Sequence, residues 1–260
     1  MFEGIDLNAL WFIIVGVLFA GYAILDGFDL GTGIVHLFFK KDMDRRILLN
    51  AVGPVWDGNE VWLITGGGAL FAAFPYVYAT VFSGFYLAFM LLLLALILRA
   101  VSIEFRSKQP MGWWRSLWDI CFSVGSFLSA LLIGVAMGNV VRGIPIDADG
   151  NFTGTFWSLL NPYSLLLGVT TVALFAMHGT IYLVMKTEGD VQMHLRRILR
   201  PTMVLFILLL ICHAAATLLY IDHVRVALEN RPWMFAVLVL AVASVAFIPP
   251  LLKKHREGWA

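Results

Sequence analysis

This chain is poor in charge. Only 13% of its 260 residues are Asp, Glu, Lys or Arg, while 60% are hydrophobic and the mean hydropathy is +0.86. An ordinary soluble domain carries about 25% charged residues. A chain of this size still exposes much of its surface when folded, so it has too few polar groups to face water all round. That excludes an ordinary soluble enzyme and a disordered chain. The 18 Lys and Arg nearly cancel the 17 Asp and Glu, and the net charge of +1 offers no basic field for nucleic acid. Cysteine is scarce as well. Cys121 and Cys212 each lie in an apolar run, which excludes a disulfide framework and a Cys-rich metal centre. No Lys or Arg precedes Lys40, so the basic leader of a signal peptide is lacking. The first apolar run is therefore expected to remain as a membrane helix.

What the chain does have is long apolar runs, and about 20 residues suffice to cross the hydrocarbon core. Ala9–Phe39 is the first. No charge interrupts residues 61 to 98, a stretch too long for one crossing. Proline cannot continue a helix without losing a backbone bond, so Phe74-Pro75-Tyr76 divides it into Ala51–Phe74 and Tyr76–Leu98. Ile120–Val141, Pro162–Met185, Thr202–Ile221 and Trp233–Leu252 follow. The expectation is an all-α integral membrane protein with seven transmembrane helices. With a periplasmic N-terminus, every Lys and Arg except Arg142, Arg225 and Arg231 falls in an inner loop, including Lys253, Lys254 and Arg256 at the end. That is the charge bias of inner-membrane topology. Gly143–Trp157, with Asp147, Asp149 and Asn151, reads as a turn-rich outer connector.

Against this background the acids inside the spans stand out. An ionised side chain at the bilayer centre costs roughly 2.5–3.5 kcal/mol on insertion scales. Asp26 and Asp29 are three residues apart, on one helix face, about 4.5 Å apart along the axis. Asp57 and Glu60 repeat the spacing on the next helix. Both pairs fall in the cytoplasmic half, where Asp119 starts the fourth helix and Arg99 and Glu104 end the third. Carboxylates crowded in low dielectric cannot all ionise, so some are expected to hold protons near neutral pH. Interfacial capping is the plainer reading of Asp57 and Glu60, and an Asp in a first helical turn, as Asp119 is, also suits the dipole; a hydrated proton path or a cation site is the sharper alternative.

His178 and His213 lie within spans, but no His or Met pattern pairs them for haem. An intramembrane His commonly bonds a neighbouring helix instead. His36, His194, His223 and His255 sit at span ends and are expected to be interfacial. Gly27-x-x-x-Gly31, Gly134-x-x-x-Gly138 and Gly66-Gly67-Gly68 mark close helix approach. Tryptophans, Trp56 among them, gather at the span ends as an aromatic belt, and Trp56 beside Asp57 is the one expected to do more.

Two strings are unusually specific: Asp26-Gly27-Phe28-Asp29-Leu30-Gly31, and Pro54-Val55-Trp56-Asp57-Gly58-Asn59-Glu60-Val61-Trp62-Leu63. Together with Gly66–Pro75, Phe105-Arg106-Ser107-Lys108, Ile133-Gly134-Val135-Ala136 and Leu160-Asn161-Pro162, they resemble subunit II of the cytochrome bd quinol oxidases over essentially the whole chain. The resemblance implies a subunit of a bacterial inner-membrane terminal oxidase that oxidises quinol and reduces dioxygen to water without pumping protons. It implies that haems b558, b595 and d, and the quinol-oxidation loop, belong to subunit I, and that this chain ligates no haem or metal. It further implies a heterodimer with subunit I, contact with lipid and quinone, and small single-helix accessory subunits, with no nucleic-acid partner. In such a subunit two pseudosymmetric four-helix bundles are expected: the first in residues 1–141, and an incomplete second in 142–260, since family members usually carry at least one further helix. On the family pattern Asp57 is the entrance of a cytoplasmic proton path and Asp26 and Asp29 its buried relay. Glu60 belongs to the same path, with Trp56, Arg99, Glu104 and Asp119 in support.

The same carboxylates would suit a stand-alone proton-coupled transporter or a purely structural scaffold. No repeated pair of interrupted helices supports the transporter.

Overall fold

The computed structural model describes residues 6–253; Lys254, His255 and Arg256 lie outside them. The chain begins with α1 (Leu7–His36), capped by Asp6, whose carboxylate accepts from the amides of Asn8 at 3.0 Å and Ala9 at 3.3 Å. A short amphipathic helix, α2 (Asp42–Val52), carries Asp42 and Asp44 in its first turn, where the helix dipole favours them. Then come α3 (Trp56–Ala73), α4 (Pro75–Gly84) and α5 (Tyr86–Phe105), the last followed by a 3-10 turn at Arg106–Lys108. Pro75 breaks the chain as expected and takes the first position of α4, where its missing N–H costs nothing.

Next is α6 (Gly112–Arg142), stopped by Gly143 at φ 89°, a conformation that only glycine adopts cheaply. The connector that follows carries an isolated antiparallel bridge between Ile146 and Phe152. Asp147 folds it, accepting from the amides of Asn151 at 2.8 Å and Asp149 at 3.0 Å. Those amides, Asn151's first, hold its carboxyl below the usual carboxylate range. After α7 (Phe156–Leu159), Asn161 caps α8 (Pro162–Lys186) by accepting from the Ser164 amide at 3.0 Å. The remaining helices are α9 (Gly189–Tyr220), α10 (Asp222–Asn230) and α11 (Phe235–Lys253).

Among the described residues five helices are long and apolar enough to cross a membrane: α1, α5 with its 3-10 turn, α6, α8 and α9. A sixth crossing exists if α10 and Pro232–Ile248 count as one span, bent by 108°. Two of the expected seven are not among the five. Ala51–Phe74 is replaced by α3, only 18 residues long and opening on Asp57, Asn59 and Glu60, and Trp233–Leu252 enters only through the bent pair. The expected Tyr76–Leu98 crossing is shifted to Tyr86–Lys108 by the break at Phe85.

The hub is formed by α1, α6 and α8, with α3 against α1, α5 against α6 and α9 against α8. Glycine sets how closely they approach. A Cβ on Gly179 would lie 2.5 Å from the backbone of Gly31 and Thr32, and one on Gly31 would overlap the Phe175 carbonyl. Gly134 meets Gly168 in the same way, its added Cβ falling 2.7 Å from the Gly168 Cα. These are the small-residue contacts by which helices associate where no hydrophobic drive exists between them. In the triple glycine only Gly66 is used, against Phe19; Gly67 and Gly68 meet nothing. The bundle's outer face is apolar almost throughout, as a bilayer requires.

Candidate functional site: a buried carboxylate cluster

Four of the expected site residues converge. Arg99 on α5 is fully buried and forks onto Asp26 of α1, with Nη2 donating to Oδ1 at 2.6 Å and Nη1 to Oδ2 at 3.1 Å. Its Nη1 also donates to Glu60 of α3, and Nη2 stands 3.8 Å from Asp29. Asn59 fixes the far side, donating to Asp29 Oδ2 at 2.8 Å and to the Leu25 carbonyl at 3.1 Å. The i,i+3 spacing puts Asp26 and Asp29 on the face of α1 that α3 and α5 cover. Gly125 on α6 lets the backbone carrying Arg99 come close, since a Cβ there would sit 2.6 Å from the Ala95 carbonyl.

One guanidinium thus faces three carboxylates, of which Asp26 and Asp29 are fully buried and Glu60 is partly exposed. Three polar atoms around it, the Tyr22 hydroxyl, Asp29 Oδ1 and Arg99 Nε, are buried without a partner among the described residues. Orphaned buried polar atoms cost about 1–3 kcal/mol each unless water satisfies them.

The other expected residues fall elsewhere. Asp57 is exposed and makes no hydrogen bond or ion pair among the described residues, although its charge is felt at Glu60. Glu104 is exposed, and Trp56 is half-buried at the start of α3. Asp119 is buried but belongs to a second cluster, at the end where α1 stops and α6 starts. It stands 2.6 Å from His36 Nε2, accepts from Arg106 Nε at 2.5 Å and Nη2 at 3.2 Å, and from Arg45 Nη1 at 2.9 Å. Asp42 on α2 then joins Arg106 at 2.8 Å to Arg115 at 2.9 Å.

His36, expected at the interface, is fully buried because Asp119 reaches it from a helix 83 residues further on. Sequence reasoning missed Arg45, Arg106 and Asp42. Their one signal was the Phe105-Arg106-Ser107-Lys108 string. His178 bonds the Ile24 carbonyl at 2.9 Å, and the His213 ring leans on Tyr163. These two do not form a facing haem-ligand pair, and no group of three or more His, Cys, Asp or Glu among the described residues could hold a metal ion.

A helical membrane bundle with a charged cluster in its interior defines the class: a multi-pass membrane protein whose buried charges mark a candidate site. Comparison with known proteins narrows it. The family described as cytochrome bd terminal oxidase subunit II matches residues 7–260, and the chain belongs to that family. It is 45% identical over 215 residues to cytochrome bd-I ubiquinol oxidase subunit 2 of Escherichia coli, covering 81% of this chain and 56% of the relative. To cytochrome bd ubiquinol oxidase subunit 2 of Bacillus subtilis it is 38% identical over 256 residues, covering 98% of this chain and 75% of the relative. The chain thus spans just over half the length of the Escherichia coli protein. Its fold resembles that in the bd oxidase from Geobacillus thermodenitrificans, with a TM-score of 0.81 at 17% identity, over 98% of this chain and 79% of the other. The chain is accordingly a multi-pass protein of the bacterial cytoplasmic membrane.

Proposed function

We propose that this chain is the haem-free second subunit of a quinol:dioxygen oxidoreductase, and that its buried carboxylates carry protons from the cytoplasm toward the oxygen-reducing centre of subunit I. The observation behind this is the excess of acid around Arg99: three carboxylates to one guanidinium, with unpartnered polar atoms beside them. His178 and His213, engaged as described, do not fit a haem, so no step runs through one on this chain.

Asp57, open to solvent, collects a proton and passes it to Glu60, one turn further along α3. A neutral Glu60 loosens its hold on Arg99 Nη1, while the fork on Asp26 keeps the guanidinium in place. The proton then moves through hydrogen-bonded water to the free Oδ1 of Asp29, and Glu60 returns to the guanidinium. The complex as a whole oxidises quinol, the relay lies in the first bundle, residues 1–141, and subunit I supplies the haems.

The test is turnover of the purified complex with saturating quinol and oxygen, with haem content measured alongside. Asp29→Asn should slow turnover at unchanged haem content. Normal turnover would return these acids to a structural role.

A further inference from the structure

We propose that the first half of α9 binds one anionic diacyl phospholipid, with its phosphate between Arg197 and Arg200 and its acyl chains on either side of the Pro201–Leu205 ridge. The site is separate from the proton relay and does not rest on it. Two grooves flank this ridge. One, of about 430 Å³, is lined by Phe38, Arg197, Ile198, Pro201, Thr202 and Leu205. The other, of about 490 Å³, is lined by Arg200, Pro201, Val204, Leu205 and Leu208. Pro201 and Leu205 belong to both, so the grooves are neighbours sharing one wall, and each has an arginine among its lining residues.

The local sequence explains the shape. Pro201 has no N–H to give the Arg197 carbonyl and no long side chain, so α9 is cut back where the grooves meet. Thr202 turns its hydroxyl onto its own helix, donating to the carbonyls of Leu199 at 2.9 Å and Ile198 at 3.2 Å, and leaves the wall apolar. Arg197 and Arg200, three residues apart, lie on neighbouring positions of the helix surface.

Charge complementarity selects the occupant. Arg45, Arg99, Arg106, Arg115 and Arg225 all pair with acids. Arg197 and Arg200 are exposed, and neither guanidinium bonds or pairs with any described residue. Lys40 and Lys41, two and three residues past Phe38, add positive charge near the first groove. Of the helices that could cross the bilayer, α9 has the least enclosed surface. Unneutralised guanidiniums above apolar grooves at a helix entrance suit a phosphate that carries two acyl chains and no cation of its own.

The experiment uses the purified complex in phosphatidylcholine nanodiscs doped with phosphatidylglycerol, with native mass spectrometry counting the phosphatidylglycerol that stays bound. Arg197→Gln and Arg200→Gln should each weaken retention about fivefold, the worth of one basic residue at an anionic surface. Leu208→Trp, which fills one groove and leaves both charges, should also weaken it. Arg142→Gln, at the opposite end of the bundle, should not. A photoactivatable phosphatidylglycerol should label residues within 197–208. Undiminished retention in the double variant, or equal preference for phosphatidylcholine in the unaltered protein, overturns the proposal. So does cross-linking of this face to protein rather than lipid, which would make the occupant a polypeptide.

Discussion

Two ion clusters lie inside this bundle, and their charge balances are opposite. Around Arg99, three carboxylates share one guanidinium. Around Asp119, one carboxylate is shared by two guanidiniums and a histidine. An excess of acid in low dielectric is relieved by taking up a cation, and protonation is the form of relief proposed for the first cluster. An excess of base around one acid keeps that acid ionised, so the second needs none. Its bonds run between helices, tying α1, α2, the turn after α5 and α6 together at one end. The same residue types, counted differently, make a site in one place and a fastening in the other.

The hardest blow to this contrast is the removal of Arg99. Arg99→Gln leaves Asp26, Asp29 and Glu60 buried together without a cation, and stripping one partner from a buried pair costs about 3–5 kcal/mol. The complex is expected to assemble poorly, read as a fall in purified yield and in thermal midpoint. Adding Asp26→Asn should recover part of the loss, because the two residues share one network. No recovery would mean that Arg99 is held by something other than these acids.

Asp119→Asn comes next. It leaves buried Arg106 with Asp42 as its one remaining carboxylate and frees Arg45, which is partly exposed and can turn toward water. A stability loss of about 2–3 kcal/mol is expected, below the full cost of a broken buried pair. Turnover per assembled complex should be unchanged. A slowed turnover at full haem content would place Asp119 on the proton route and erase the distinction between the clusters.

The sequence showed the acids but not how they divide. Asp26 and Asp29 were legible because an i,i+3 pair of charges in an apolar run has no cheap explanation. The partition was not, since Arg99 and Asp119 sit on different helices and only tertiary packing decides which acids each meets. Helical phase separates the α3 pair. The buried residues of α3 are Asn59 and Gly66. At 3.6 residues per turn, Glu60 lies about 100° from Asn59 and Asp57 about 160° from it, nearly opposite. Nothing local marks Asn59 as the residue that faces α1. His36 was misjudged for a related reason: its partner is distant in sequence, and a histidine at a span end looks interfacial until that partner is placed.

Within the acid-rich cluster, Asp29→Asn is expected to cost little stability, because Asn59 and Arg99 still find an oxygen to bond. Turnover should fall several-fold as a titrating oxygen is lost. Glu60→Gln should also slow turnover, since Glu60 bonds Arg99 directly. If Glu60→Gln is silent while Asp29→Asn is not, the proton enters the cluster by a route that avoids α3.

The smallest stability effect and the most discriminating kinetic one belong to Asp57. It is exposed and bonded to nothing described, so Asp57→Asn should change stability by no more than about 0.5 kcal/mol, the range of ordinary surface substitutions. Turnover is the informative readout. An entrance on the solvent side can be bypassed by water reaching Glu60, whose side chain is 17% exposed, so the slowing should be weaker than for Asp29→Asn. The double variant should be less than additive if both residues serve one path. Full additivity would mean that Asp57 acts on a separate step, and no effect at all would move the entrance to Glu60 itself.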